Sequence, residues 1–121
     1  MADPRLARLL ADATELVRAK RFRDAAAAYA VAADLAEELG ERDVARLTRT
    51  NARRYLVVDW AQRRWPAEGI SADDVGRRWR HPEDVHKEER EFAVRRSGLA
   101  SRWIVVSVSR RGRVTILKRQ S

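Results

Sequence analysis

The chain has 121 residues, with 26 Lys and Arg against 18 Asp and Glu for a net charge of +8, and it is 45% apolar, 36% charged and free of cysteine. Lack of cysteine excludes disulfides, a thiolate nucleophile and Cys-based zinc or iron–sulfur sites. No apolar run approaches the roughly 20 residues that cross a bilayer, and Met1-Ala2-Asp3-Pro4-Arg5 lacks the apolar stretch of a secretion signal. A cytoplasmic protein, with the nucleoid as the place of association and no membrane partner, is the expectation. Four Trp and periodic apolar blocks favour a packed core over disorder, despite the high charge.

Asp3-Pro4 reads as a helix start, with an acceptor at the cap and Pro at the first helical position. Leu6, Leu9, Leu10, Ala13, Leu16 and Val17 then recur at three-to-four spacing, predicting a helix over 4–20. After Lys20-Arg21-Phe22-Arg23 an Ala-rich helix is expected over 24–39, with Gly40 as its C-terminal cap. The short connection makes the pair antiparallel. Phe22, Ala25, Tyr29 and Ala32 are spaced as in the second half of a tetratricopeptide-type or MIT-type hairpin, and residues 9–37 weakly resemble one. Ala13 stands where such a unit carries Gly, and Glu37 where it closes with Pro. No copy recurs 34 residues on, so an array is excluded. The resemblance implies a groove for a protein partner or a second copy; a plain buttress is the simpler reading.

A third helix is predicted from Asp43 to Trp65, stopped by Pro66. One apolar stripe runs through Val44, Leu47 and Asn51, another through Tyr55 to Val58, Trp60 and Ala61, so this helix reads as a central element shared by both halves. The expected division is a hairpin over 1–42 and a basic domain over 43–121. Ser71 and Asp74 have capping-box spacing, predicting a short helix over 72–79. Pro82, Glu83 and Asp84 signal another start, with a helix running through Val85, Phe92, Ala93 and Arg96 to Gly98. The period then changes to 2, giving two strands. A three-residue loop, Arg110-Arg111-Gly112, sets Val108 against Val114 and Val106 against Ile116 so that the apolar faces coincide, with Gly112 as the left-handed residue.

The fold class expected is therefore α+β, mostly helical: an N-terminal antiparallel helical hairpin, a long central helix, and a winged-helix-like C-terminal part ending in a β-hairpin. In order and outline, Ile70-Ser71-Ala72-Asp73-Asp74-Val75, His81-Pro82 and Phe92-Ala93-Val94-Arg95-Arg96-Ser97-Gly98-Leu99 followed by the hairpin resemble a winged helix-turn-helix domain over about 50–121, in the manner of small phage and replication proteins. The resemblance implies a helix near 84–97 in the major groove and a wing on phosphates. Five carboxylates, Glu83, Asp84, Glu88, Glu89 and Glu91, load the first half of that helix and argue against sequence-specific readout.

Charge is segregated. Residues 1–48 carry 8 cations and 9 anions, residues 49–121 carry 18 and 9, and no acid follows Glu91. Such an end attracts a polyanion. The nucleic-acid-binding candidates are Arg77, Arg78, Arg80, Lys87, Arg90, Arg95, Arg96, Arg102, Arg110, Arg111, Arg113, Lys118 and Arg119. The function expected is non-enzymatic DNA binding with a regulatory or replication-accessory role, duplex favoured over single strand or RNA. The alternative is a protein-interaction adaptor that captures an acidic partner. His81 and His86 alone make no metal set, Asp74 is explained as a cap, and no glycine-rich phosphate loop is present, so neither enzyme chemistry, metal nor cofactor is expected. Trp60 and Trp79 read as core, with Trp65 and Trp103 open to stacking roles.

Overall fold

The structure, a computed structural model, describes residues 3–77, 90–96 and 102–120. The fold is α+β: among the described residues three α-helices, α1 (Pro4–Arg18), α2 (Phe22–Glu38) and α3 (Arg42–Arg64), precede a four-stranded antiparallel sheet of β1 (Val75–Arg77), β2 (Glu91–Arg96), β3 (Arg102–Val108) and β4 (Val114–Gln120), in the order β1-β2-β3-β4. The chain divides into two compact units, Met1–Tyr55 and Leu56–Ser121. The division falls inside α3, which contributes residues to each.

In the first unit the Asp3 carboxylate accepts from the Arg5 amide at 2.8 Å and opens α1 with Pro4 in the first turn. Leu6 packs with Ala32, Ala36 and Ala45, and Ala13 with Tyr29 and Ala52. These pairings run α2 antiparallel to both α1 and α3. Small side chains let three helix backbones approach closely, and Tyr55 fills the remaining width by stacking with Phe22 and Tyr29 at centroid distances of 5.9 and 5.6 Å. The stripe expected through Val44, Leu47 and Asn51 is not the buried one, for Leu47 and Asn51 are exposed. Ala45, Thr48 and Ala52 are buried instead, because an Ala-rich neighbour leaves room only for small partners. Thr50, also buried, returns its hydroxyl to the Arg46 carbonyl at 3.0 Å.

Both helical turns close in the same way. Gly40, at φ +77°, donates to Glu37 O at 3.0 Å while Glu41 donates to Ala36 O at 2.9 Å. One helix earlier Lys20, at φ 58°, donates to Val17 O while Arg21 donates to Leu16 O, both at 2.9 Å. These are Schellman closures, one with the glycine that the left-handed position favours and one without it.

The second unit departs from the sequence pattern where the period is short. Ser71 opens only a single 3-10 turn, Ala72–Asp74, and Val75–Arg77 is strand, so the helix expected over 72–79 does not form. Glu91–Arg96 is likewise strand, where a helix reaching Gly98 was expected; the earlier part of that segment lies outside the described residues. The reason is geometric. On a helix Phe92 and Val94 would point about 200° apart, whereas on a strand they share a face, and both are fully buried. Val75 pairs with Val94, Phe92 with Val106, and Val94 with Ile104, so one face is continuously apolar. Val57, Val58 and Ala61 of α3 are also fully buried, as expected of a stretch apolar on all sides.

The terminal hairpin takes the register that its apolar pattern requires, Val108 against Val114 and Val106 against Ile116. A register shift then follows: Val105 lies opposite Lys118, which leaves Leu117 as an extra residue on β4. No helix among the described residues is long and apolar enough to cross a membrane.

Candidate nucleic-acid interface

The tip of the β3–β4 hairpin is a tight turn closed by three hydrogen bonds between Ser109 and residues 112–113. Gly112 donates to Ser109 O at 3.0 Å, Ser109 donates to Arg113 O at 2.9 Å, and the Arg113 amide donates to Ser109 Oγ at 3.0 Å. Gly112 sits at φ +80°, and a Cβ added there would stand 3.3 Å from the Leu56 Cδ1 atom of α3. The left-handed conformation is what requires glycine here, and a larger residue would in addition press the leucine methyl back by a few tenths of an ångström. Arg110, Arg111 and Arg113 project from this turn, all exposed, and none has an acidic partner among the described residues.

Arg95 and Arg96, at the other end of β2, are held differently. Arg95 donates from Nε and Nη2 to Asp74 Oδ1 at 3.2 and 3.0 Å. The other oxygen of Asp74 accepts from the Ser71 amide at 2.9 Å and faces the Ser71 hydroxyl at 3.2 Å. The Ser71 amide first, and Arg95 with it, hold the Asp74 carboxyl below its usual range. Capping spacing thus found the Ser71–Asp74 pair, and the same carboxylate goes on to clasp Arg95.

Arg96 is committed further. Its guanidinium donates to Glu68 twice, at 2.9 and 2.5 Å, and lies 4.3 Å from the centre of the Trp65 ring. The pair lowers the Glu68 pKa and raises that of Arg96. Arg64 lies 5.6 and 5.5 Å from the Trp60 and Trp65 ring centres, and the two indoles meet edge to face at 5.3 Å. This cluster ties β2 to the turn Pro66–Glu68 that ends α3. Trp65 and Glu68 have no sequence signal for the role, being about thirty residues from their partner.

Of the remaining candidates, Arg90 is exposed just before β2. Arg77, Arg102, Lys118 and Arg119 have strand positions, but their side chains lie outside the described residues, as do Arg78, Arg80 and Lys87 altogether. His81, His86 and Trp79 also lie outside them. Among the described residues no group of three His, Cys, Asp or Glu is placed to hold a metal ion. Comparison with protein-family models, curated proteins and solved structures gave no match.

Proposed function

We propose that this chain is a non-enzymatic DNA-binding protein that grips duplex phosphates through Arg110, Arg111 and Arg113, in a regulatory or replication-accessory role. The observation that carries the reading is the turn itself: three guanidinium groups on a hydrogen-bonded protrusion, exposed and without an acidic partner among the described residues. Each offers bidentate donors to a phosphate at little desolvation cost. The hairpin acts as the wing of a winged-helix-like domain. With residues 91–96 in strand and not in a groove-reading helix, binding is directed at the backbone and discriminates little between sequences. Arg96, bound to Glu68 and Trp65, serves the fold.

Fluorescence anisotropy with a labelled mixed-sequence duplex tests the proposal. Wild-type protein binds, and changing Arg110, Arg111 and Arg113 together to Ala weakens binding more than tenfold without altering the circular dichroism. Unchanged affinity in the triple variant overturns the proposal in favour of the protein-adaptor reading.

A further inference from the structure

Trp103 stands out on β3. Its strand successors Ile104, Val105 and Val106 are buried, yet the indole is 40% exposed. It faces away from the apolar side that carries Ile104 and Val106. Directly opposite on β2 is Arg95, whose position is fixed by Asp74 through Nε and Nη2, leaving Nη1 without a partner among the described residues. The neighbouring row across the sheet is Gly76, Ala93 and Val105, with Lys118 next in register. Gly76 and Ala93 in that row are small and half-buried, Val105 is buried, and a methyl group added to Gly76 would meet nothing within 4 Å. An exposed indole thus stands at the edge of the sheet face, with a held guanidinium beside it.

We infer that Trp103 is a stacking platform for an unpaired base, with Arg95 beside it and the arginine tip of the same strand pair following the phosphates. This rests on the nucleic-acid reading above and narrows it to a ligand with a single-stranded segment. Charge complementarity selects the occupant: no acid follows Glu91 in the sequence, and of the described acids on this side of the sheet Asp74 is already bound to Arg95 while Glu91 lies opposite Ser107, so β3, β4 and their arginine turn keep the cationic excess that attracts a polyanion. The indole then selects a base with a free π-face, which a duplex keeps inside its stack. From Trp103 to Val108 the strand spans about 17 Å, and the arginine turn lies just beyond, so the backbone of one extended strand has room to pass from platform to tip.

The test measures anisotropy of three labelled probes: an oligothymidylate, an abasic chain of equal length, and a duplex. Wild-type protein should bind oligothymidylate about tenfold more tightly than the abasic chain. Trp103→Ala should abolish that difference and leave duplex affinity within twofold, while Trp103→Phe retains most of it. Equal affinity of wild type for oligothymidylate and abasic chain overturns the platform while leaving the phosphate-gripping role intact. So does a Trp103→Ala loss that is the same for oligothymidylate and duplex, which would mark a structural role. If Trp103→Ala does not fold, the abasic comparison in wild type and the Trp103→Phe result decide the matter. Failure of every probe to bind wild type removes both readings together.

Discussion

The two units use the same residue, arginine, for opposite ends. In the helical unit Arg5, Arg18, Arg21, Arg46 and Arg49 reach acids of their own chain: Asp3, Glu15, Asp24 and Asp43 close by in sequence, and Asp34 and Glu37 across from α3 to α2. In the sheet unit Arg63, Arg95 and Arg96 do likewise with Asp59, Asp74 and Glu68. The hairpin turn then sets three arginines where none of the described acids reaches. Composition alone therefore says little about what an arginine is for. An acid in its reach ties an arginine to the fold, through an edge and a face for Arg96 bound to Glu68 and Trp65 and through one edge for Arg95 bound to Asp74, and a hydrogen-bonded protrusion without one turns it toward a ligand. The cores differ as sharply: alanines at the contacts between helices, and Phe92 with β-branched residues across the sheet.

The largest effect that sharpens this contrast comes from hollowing the sheet. Phe92→Ala should cost about 3–5 kcal/mol, read from denaturant melts, because a fully buried ring is lost from a strand paired on both sides. The helical core should respond to the reverse change. Ala32→Leu, at a position with no exposure between α1 and α3, should cost about 1–3 kcal/mol by overpacking. A tolerant Ala32→Leu would break the comparison. Next come the two left-handed positions. Gly112→Ala should destabilise by about 1–2 kcal/mol, whereas Lys20→Gly should stabilise by about 0.5–1 kcal/mol, since it relieves a strained φ at an otherwise complete helix closure. Both are read as shifts in midpoint at constant slope.

The smallest effect is a pH dependence set by arginine-bound carboxylates, Glu68 and Asp74 of the sheet unit together with Asp3, which Arg5 holds low in the helical unit. Folding lowers the Glu68 and Asp74 pKa values. Their contribution is therefore complete above the unfolded carboxylate pKa of about 4 and is lost as pH falls through the lower folded values. Melting curves should be flat from neutral pH down to that point and then decline. Glu68→Gln should lower the plateau and reduce the decline, and an unchanged decline would show that the pair does not couple to folding.

How legible this was depended on whether a signal was local. The helical hairpin, Gly40 and the three-residue hairpin loop follow from contiguous periodicity and turn chemistry, and the Val108–Val114 register follows from matching two apolar faces. The strand at 91–96 did not announce itself, because the Phe92–Val94 alternation is only one step long and sits between a helix-start signal at Pro82 to Asp84 and a C-cap signal at Gly98, and pairing with β1 and β3 is what decides it. Likewise the arginine tip could be read from spacing. The capture of Arg95 by Asp74 and of Arg96 by Glu68 and Trp65 could not, since each partner lies twenty or more residues away and is brought near only by the sheet.

The salt dependence of duplex affinity tests the central claim most directly. If five or six phosphates are neutralised, log K should fall against log salt with a slope of about −5, and removing Arg110, Arg111 and Arg113 should flatten it to about −2. A slope that stays the same in the triple variant, or a wild-type affinity that ignores salt, would contradict the assignment of those three guanidinium groups to phosphate.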